Sequence, residues 1–362
     1  MYNTIREIFP KVKSIYDSLL DEKSKMIFSF RMLFNLTHDY NYLFSMISTL
    51  PEFDRNKLQS VSKYYNIFSK LLNSEPSKKL IIYGAGIRGN HLYQLFDKLN
   101  WYCFCDKDIK KQKSAYCGLP VISPEELIRS HSNDFVVIAV KDYKEEVYKQ
   151  LISMGFPRNN IIDSDIVLEL ELSKIQYFEA PIIRPQKNEV FVDAGCFNCD
   201  TSLMFREWCD GDYEKIYAFE PDPINFTNCK RNIDEGDIKN IEIHNCGLWS
   251  EDTVLSFNSL ETSGSSIADS GNCSINVVSL DNIVKGNRVS FIKMDIEGAE
   301  LEALKGARDT ITKYRPKLAI CIYHKPEDIL EIPLFLMDLV PDYKFYIRHY
   351  SNYTCETVLY AI

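Results

Sequence analysis

The spacing of apolar residues divides the chain into a helical beginning and two regions of alternating strand and helix. Over residues 1–76, apolar side chains such as Ile5, Ile8 and Phe9 recur at helical spacing, without the alternation of a strand. From residue 77 to 166, short apolar runs alternate with amphipathic stretches, which predicts a small α/β domain. A proline-punctuated linker is predicted over 167–188, and a second alternation of the same kind fills 189–362.

The bulk composition is that of a soluble globular protein. The 362 residues are 45% hydrophobic and 26% charged, with a formal net charge of −9. This acidic balance, without a basic block, argues against nucleic acid or an anionic membrane surface as a partner. No run approaches the length of a membrane span, and the first residues lack the pattern of a signal peptide, so we expect no membrane insertion and a cytoplasmic location.

The eleven cysteines are scattered along the chain, and only Cys196 and Cys199 form a Cys-x-x-Cys pair. In a cytoplasmic chain of this size we expect most of them to be small buried thiols. A structural zinc site would need a second pair of cysteines or histidines, and none has the right spacing. The sequence therefore predicts no metal at this pair, with a redox pair as the alternative.

A glycine-rich turn follows the first apolar run of the 77–166 region. Residues 84–89, GAGIRG, match the dinucleotide pattern G-x-G-x-x-G, and Asp106 ends the next predicted strand 22 residues after Gly84. Such glycines permit a tight turn at a phosphate, and an acid at that strand end can accept ribose hydroxyls. The candidates for a second nucleotide site are Gly84, Gly86, Arg88, Gly89 and Asp106.

This region resembles the small nucleotide-binding-like domain at the start of some bacterial sugar-modifying enzymes, including sugar acyltransferases. The resemblance implies a Rossmann-like α/β domain that binds a nucleotide or sugar-nucleotide, or that serves only as a scaffold. At about 90 residues the region is half of a full dinucleotide fold, and no partner residues for hydride transfer stand out.

A second strand-turn-helix pattern occurs at FVDAGCFNCDTS, residues 191–202. Asp193 ends the strand, Gly195 follows it, and Glu220 in YAFEPDP ends the next predicted strand 27 residues after Asp193. In Rossmann-like enzymes that use S-adenosylmethionine, the first loop holds the methionine end of the cofactor. The second acid accepts both ribose hydroxyls, because a carboxylate matches two adjacent donors.

The rest of the second region resembles the FkbM family of S-adenosylmethionine-dependent methyltransferases. The resemblance covers roughly Glu189 to Ile362, and its most specific stretches are FIKMDIEGAELEALKGARDTI and PKLAICIYHKPEDILEIPLFL. It implies a Rossmann-like class I methyltransferase domain, preceded here by the smaller Rossmann-like domain and the helical N-terminal region.

The resemblance also implies which residues hold S-adenosylmethionine. Cys196 stands where the family has a small residue and Cys199 where it has a second glycine, and a cysteine disfavours the positive φ that glycine allows. The small polar stretch 262–273 is expected to border the cofactor through Ser265 or Ser266. The implied cofactor-binding residues are Asp193, Gly195, Cys196, Phe197, Thr201, Ser202, Glu220, Asn245, Gly247 and Asp295.

The candidate catalytic residues are Asp295, Glu297 and His324, which follow two neighbouring predicted strands. Candidates at the carboxyl ends of strands are expected to meet in the crevice of an open α/β sheet. His324 is predicted to be the general base, since its ordinary pKa suits proton removal near neutral pH. Asp295 and Glu297 are interpreted as positioning groups; a divalent metal on these three side chains is an alternative that is not favoured.

The two resemblances together imply an O-methyltransferase that acts on a sugar or sugar-nucleotide in surface glycan biosynthesis. Two alternatives remain open at this point: an NAD-dependent nucleotide-sugar oxidoreductase that uses the loop at 84–89, and a non-catalytic glycan-assembly protein. The aromatic N-terminal helices are interpreted either as a homodimer interface or as packing on their own chain.

Overall fold

The computed structural model describes residues 2–37, 40–47, 49, 68, 70–96, 99–140, 143–162, 175–236, 238–259, 266–267, 271–351 and 354–362. The chain forms two compact units, residues 51–171 and residues 1–50 with 172–362. The N-terminal helices therefore belong to the same unit as the C-terminal domain, whereas the sequence suggested a separate region. Each unit is described by itself below.

The smaller unit contains a parallel sheet of five strands in the order β3-β2-β1-β4-β5. Its first, second and fourth strands are almost entirely buried, which agrees with their unbroken apolar sequences. The elements are β1 (Leu80–Tyr83), α4 (Ile87–Leu95), β2 (Trp101–Cys105), β3 (Val121–Ile122), α5 (Pro124–His131), β4 (Phe135–Ile138), α6 (Lys144–Ser153) and β5 (Ile161–Ile162).

The larger unit is built on a seven-stranded sheet in the order β15-β16-β14-β13-β6-β7-β8. Its strands are β6 (Glu189–Ala194), β7 (Tyr213–Phe219), β8 (Ile241–His244), β13 (Phe291–Met294), β14 (Lys317–Cys321), β15 (Phe345–His349) and β16 (Thr357–Ala361). All neighbours pair in parallel except β16, which runs antiparallel to both β14 and β15. The carboxyl ends of β6, β7, β13 and β14 therefore meet along one edge.

A second sheet lies between β8 and β13 in the sequence and has the order β11-β10-β12-β9. Its strands are β9 (Gly247–Leu248), β10 (Thr253–Asn258), β11 (Ser266–Ile267) and β12 (Cys273–Val278). Phe257, Ile275 and Val277 bury their side chains together on one face of it. The expected small polar stretch 262–273 falls here, and Ser265 lies outside the described residues.

Six helices complete the C-terminal domain among the residues described. They are α7 (Asp200–Trp208), α8 (Pro223–Glu235), α9 (Leu280–Val284), α10 (Glu300–Lys305), α11 (Arg308–Tyr314) and α12 (Asp328–Leu339). The Asp222 side chain accepts hydrogen bonds from two backbone N–H groups at the start of α8, where Pro223 occupies the first position. This cap fixes the start of α8 just after Glu220.

The N-terminal region forms α1 (Tyr2–Ser18), α2 (Glu22–Thr37) and α3 (Tyr40–Ile47). Helix α2 docks against β15: Ser24 Oγ accepts a hydrogen bond from the Ile347 N–H, and Arg348 pairs with Asp21 at 2.7 Å. The buried Arg31 donates to backbone carbonyls of Tyr323 and Thr354. The helices thus pack on their own chain, as one of the two interpretations stated.

Part of the predicted linker 167–188 belongs to the core of this unit. Residues 163–174 lie outside the described part of the chain, but Tyr177, Phe178 and Ile183 are buried against β6 and β13. Arg348 also pairs with Glu179 at 2.9 Å. The apolar run YFEAPII is therefore a packed segment rather than a free connector, because its side chains cover one face of the sheet.

Among the residues described, no helix is both long and apolar enough to cross a bilayer.

Candidate functional site

A pocket opens at the carboxyl ends of β6, β7, β13 and β14. Its cavity volume is about 140 Å³. Its walls include Gly195, Phe197, Glu220, Gly247, Asp295 and Glu297, all of which the sequence predicted as site residues. These residues are far apart in the sequence, and the parallel sheet brings them together.

Gly195 allows the first loop to lie directly against the end of β13. Its φ is +74°, and a Cβ at this position would stand 1.9 Å from the backbone oxygen of Asp295. Any side chain would force the two strand ends apart. The glycine is therefore required by close approach as well as by its backbone conformation.

The loop continues through two residues in the left-handed region. Phe197 has a φ of +50° and Cys199 a φ of +67°. Cys199 thus adopts the conformation for which a glycine is usual. A cysteine disfavours this conformation, so the loop keeps its shape with a strained residue at this position. The turn leads into α7 and leaves Phe197 exposed at the pocket wall.

Glu220 is the acid that the pattern predicted at the end of the second strand. Its Oε2 accepts a hydrogen bond from the Phe197 N–H at 3.0 Å, and its Oε1 accepts one from the Asp222 N–H at 2.9 Å. Burial raises the pKa of this carboxyl group to about 7, although these two backbone donors lower it. The carboxylate is therefore held in one orientation at the pocket wall.

Asp193 is not among the described residues that line the pocket. It is fully buried, lies 3.1 Å from Lys293 Nζ, and accepts a hydrogen bond of 2.7 Å from Ser202 Oγ. Lys293 also donates to the backbone oxygens of Ala194 and Gly195. Asp193 and Ser202 are thus buried behind the first loop, and their predicted contact with the cofactor stays a prediction.

The remaining predicted cofactor residues fall into two groups. Gly247 lines the pocket, whereas Cys196 is buried beneath the loop and Thr201 lies on α7, away from the described pocket walls. Asn245 Nδ2 donates to the backbone oxygen of Glu220 at 2.9 Å. Asn245 therefore positions the strand end that carries Glu220 and is not itself at the wall.

Two tyrosines that sequence reasoning missed hold Asp295. The Tyr177 hydroxyl donates to Asp295 Oδ2 at 2.8 Å, and the Tyr323 hydroxyl donates to Oδ1 at 3.1 Å. Burial alone would raise the pKa of Asp295, but Lys293, His324 and Tyr177 together lower it. Tyr323 directly precedes the predicted His324, which was an available signal; Tyr177 lay in the predicted linker and gave none.

His324 sits among three carboxylates. Its Nδ1 lies 2.9 Å from Glu300, and its Nε2 lies 3.4 Å from Asp295 and 3.6 Å from Glu297. Burial lowers the pKa of the ring, but Glu297, Glu300 and Asp295 outweigh it and raise the pKa to about 11. A ring with this pKa is protonated near neutral pH, which argues against His324 as the general base; its catalytic role stays a prediction.

Glu356 is a pocket residue that the sequence analysis did not identify. It precedes β16, has a φ of +66°, and accepts a hydrogen bond from Gln176 Nε2. Burial raises its pKa to about 7, with a further increase from the nearby Asp295. A carboxyl group with this pKa can exchange a proton near neutral pH. Nothing in its sequence context, SNYTCETVLYAI, identifies it as a catalytic or binding residue.

The first glycine loop of the smaller unit has a different arrangement. Asp106 Oδ2 accepts from the Ala85 N–H at 2.9 Å and from Lys111 Nζ at 3.0 Å, and Oδ1 accepts from the Asp108 N–H. Gly84 has a φ of +117°, and Gly89 packs against its backbone oxygen. The five predicted residues do lie around one strand-turn-helix junction, and the acid among them is already engaged by the loop.

Comparison with known families agrees with this division of the chain. Residues 195–346 match the model described as the methyltransferase FkbM domain. The chain carries an FkbM-family methyltransferase domain. It is therefore an S-adenosylmethionine-dependent methyltransferase, as the sequence resemblance implied. Residues 76–162 match the N-terminal domain described as C2185-like, which corresponds to the smaller unit.

A solved structure shows the same fold at low sequence identity. An FkbM methyltransferase from Methylobacillus flagellatus KT is 20% identical, with a TM-score of 0.51, over 84% of this chain and 100% of its own. A putative methyltransferase from Streptococcus mutans in complex with SAH is 13% identical, with a TM-score of 0.31, over 49% of this chain and 90% of its own. None of the curated proteins compared with the chain matches it.

Proposed function

We propose that this methyltransferase transfers the methyl group of S-adenosylmethionine to a hydroxyl oxygen of a sugar or sugar-nucleotide, in the biosynthesis of a surface glycan. The observation that carries this proposal is the pocket itself. One wall presents the buried Glu220 beside the first loop, and another presents Asp295, Glu297 and Glu356 at the ends of β13 and β16. The carboxylates in this pocket suit a ligand with many hydroxyl donors.

The Glu220 side of the pocket suits the ribose of S-adenosylmethionine. Its carboxylate is fixed by two backbone donors and retains lone pairs for the two adjacent hydroxyls of a ribose. Gly195 lines the pocket without a side chain, so that the loop backbone can approach the cofactor closely. Phe197 and Gly247 would complete the wall around it.

The Asp295 side suits the acceptor. When bound, S-adenosylmethionine supplies an electrophilic methyl group; the acceptor oxygen must be aligned with it and must lose a proton. We assign proton removal to Glu356, whose pKa of about 7 matches this task at neutral pH. Asp295, held by Tyr177 and Tyr323, would accept a hydrogen bond from the acceptor and orient it.

The protonated His324 has a different task in this proposal. Its positive charge lies between Asp295, Glu297 and Glu300 and offsets their mutual repulsion. The ring would therefore hold the two pocket carboxylates at the geometry the acceptor needs. The protein is further proposed to act in the cytoplasm on a small-molecule acceptor, without nucleic acid.

The test is methyl transfer from isotope-labelled S-adenosylmethionine to a panel of sugars and sugar-nucleotides, followed by mass spectrometry. Wild-type protein is expected to label a hydroxyl of at least one acceptor. Glu356→Gln is expected to lower kcat about 100-fold or more, since a general base contributes about that much. Glu331→Gln, an exposed acid on α12, serves as the matched control and should leave the rate unchanged.

The alternative of an NAD-dependent oxidoreductase gives the opposite pattern. It predicts binding of NAD that Asp106→Ala abolishes and no binding of S-adenosylmethionine. The ion pair between Asp106 and Lys111 disfavours a ribose at this acid and therefore favours the methyltransferase. Labelling of protein or RNA in place of sugars would contradict the proposed acceptor while leaving the methyltransferase activity intact.

A further inference from the structure

The Cys-x-x-Cys pair of the first loop meets a third cysteine in the folded chain. Cys196 and Cys199 flank the turn, and Cys229 comes from α8, 30 residues later in the sequence. The Sγ atoms of Cys196 and Cys229 are 3.7 Å apart, and all three sulfurs lie within 4.8 Å of one another. All three are free thiols, and each is at most 2% exposed.

These distances match those of a bound metal. An ion about 2.3 Å from each of three sulfurs in a trigonal plane separates the sulfurs by about 4 Å. The geometry therefore needs only small side-chain shifts to close around an ion. The spacing argument against zinc considered pairs along the sequence, and it had no means of including Cys229.

The surroundings of the cluster restrict which ion it can take. Ala218, Ile233, Ile241 and Ile243 pack around the three cysteines. The cluster itself consists of three thiols and lacks the oxygen ligands on which Mg²⁺ and Ca²⁺ depend. Three thiolates without a fourth donor favour soft ions, whereas structural Zn²⁺ is almost always bound by four ligands.

We propose that Cys196, Cys199 and Cys229 form a three-coordinate thiolate site for a soft, thiophilic metal ion such as Cu⁺ or Cd²⁺. Occupation would tie the loop containing Phe197 to α8. Since Phe197 both lines the pocket and donates to Glu220, the site lies directly behind the cofactor loop. Metal binding itself does not depend on the proposed sugar acceptor or on bound S-adenosylmethionine.

The experiment titrates Cd²⁺ into the full-length protein, kept reduced with a phosphine, in the absence of S-adenosylmethionine. We expect one equivalent to bind with the ultraviolet charge-transfer band of cadmium thiolate and a ¹¹³Cd NMR shift typical of all-sulfur coordination. Cys229→Ser should weaken the binding by more than about tenfold, as loss of a ligand should cost at least as much as loss of a supporting contact. Cys209→Ser, a buried cysteine elsewhere in the same unit, should bind like wild type.

A thermal unfolding series keeps the test decisive if Cys229→Ser folds poorly. Cd²⁺ should raise the Tm of wild type and of Cys209→Ser, because an ion that binds only the folded state stabilises it. It should not raise the Tm of Cys229→Ala or Cys199→Ala. A band that survives in all three cluster variants, or a wild-type protein without a stoichiometric band, would overturn the proposal.

Discussion

The two strand-turn-helix loops of this protein share one pattern of secondary structure and differ in what their acids do. Asp106 and Glu220 each end the strand after a glycine turn, and each accepts a hydrogen bond from a backbone N–H of its own loop. Asp106 is also paired with Lys111, whereas Glu220 lines a pocket and has a pKa raised by burial to about 7. The comparison shows that the side chains brought around the acid, rather than the turn pattern, distinguish the two loops.

Removing each acid in turn should give the largest difference between the loops. Glu220→Ala is expected to weaken binding of S-adenosylmethionine about 100-fold or more, because two charge-assisted hydrogen bonds to the ribose are lost. Asp106→Ala should change the affinity less than about twofold. Isothermal titration calorimetry with S-adenosylmethionine, S-adenosylhomocysteine and NAD measures both. Equal losses in the two variants would remove the distinction between the loops.

Adding a methyl group to the second loop should have the next largest effect. Gly195→Ala places a Cβ against the backbone of Asp295, and we expect a cost of about 3 kcal/mol or more together with loss of cofactor binding. Gly211→Ala is the matched control: its φ is also +74°, but no atom lies within 4 Å of the added Cβ. It should cost only about 1 kcal/mol.

Thermal unfolding with and without S-adenosylmethionine separates these two costs. If Gly195→Ala were no more destabilising than Gly211→Ala, the close approach of β6 and β13 would not be a requirement of the fold.

The pH dependence of binding should sharpen the comparison further. The ionised form of Glu220 is the better acceptor for ribose hydroxyls, and its pKa in the free protein is about 7. Below this pH the group must lose a proton to bind, so the dissociation constant should rise about tenfold for each unit of pH. Glu220→Gln should remove this dependence. Calorimetry between pH 6 and 8 on both proteins checks it, and a wild-type profile as flat as that of Glu220→Gln would contradict it.

The smallest effect is expected at Gly86 of the first loop. Gly86 has an extended backbone with φ −144°, and the nearest atom to an added Cβ is Lys111 Nζ at 3.9 Å. Gly86→Ala should therefore leave stability unchanged or raise it by about 0.5–1 kcal/mol, since alanine reduces the freedom of the unfolded chain. If a nucleotide phosphate approaches this loop closely, the same variant should weaken nucleotide binding, which differential scanning calorimetry with NAD or a sugar-nucleotide would reveal.

The local sequence pattern was sufficient to predict the secondary-structure elements and the acids at the strand ends. The short apolar runs at Val190–Val192 and from Phe291 onward alternate with helical stretches, and this pattern predicts strands. Both are buried strands in the structure. Acids that follow such strands come together whenever the strands are parallel neighbours, which is why Glu220, Asp295 and Glu297 were found.

The family resemblance, rather than composition or spacing, pointed to methyl transfer, and the domain match confirms it. The same resemblance did not distinguish the residues that line the pocket from those buried behind the pocket wall. Asp193 and Ser202 are of the expected residue types, yet both are buried. Asp193 pairs with Lys293 and accepts a hydrogen bond from the Ser202 hydroxyl.

What the sequence determined by itself is the set of elements, their order and the position of the two glycine loops, because these depend on interactions between residues close in the chain. What only the tertiary structure decided is the surroundings of each ionisable group. His324 became a cation because three carboxylates converge on it, and Glu356 gained a pKa near neutrality because the fold buries it beside Asp295. Cys229 joined the Cys-x-x-Cys pair because α8 packs on the first loop. Charge, burial and ligand geometry depend on distances between residues far apart in the chain, and no local pattern encodes those distances.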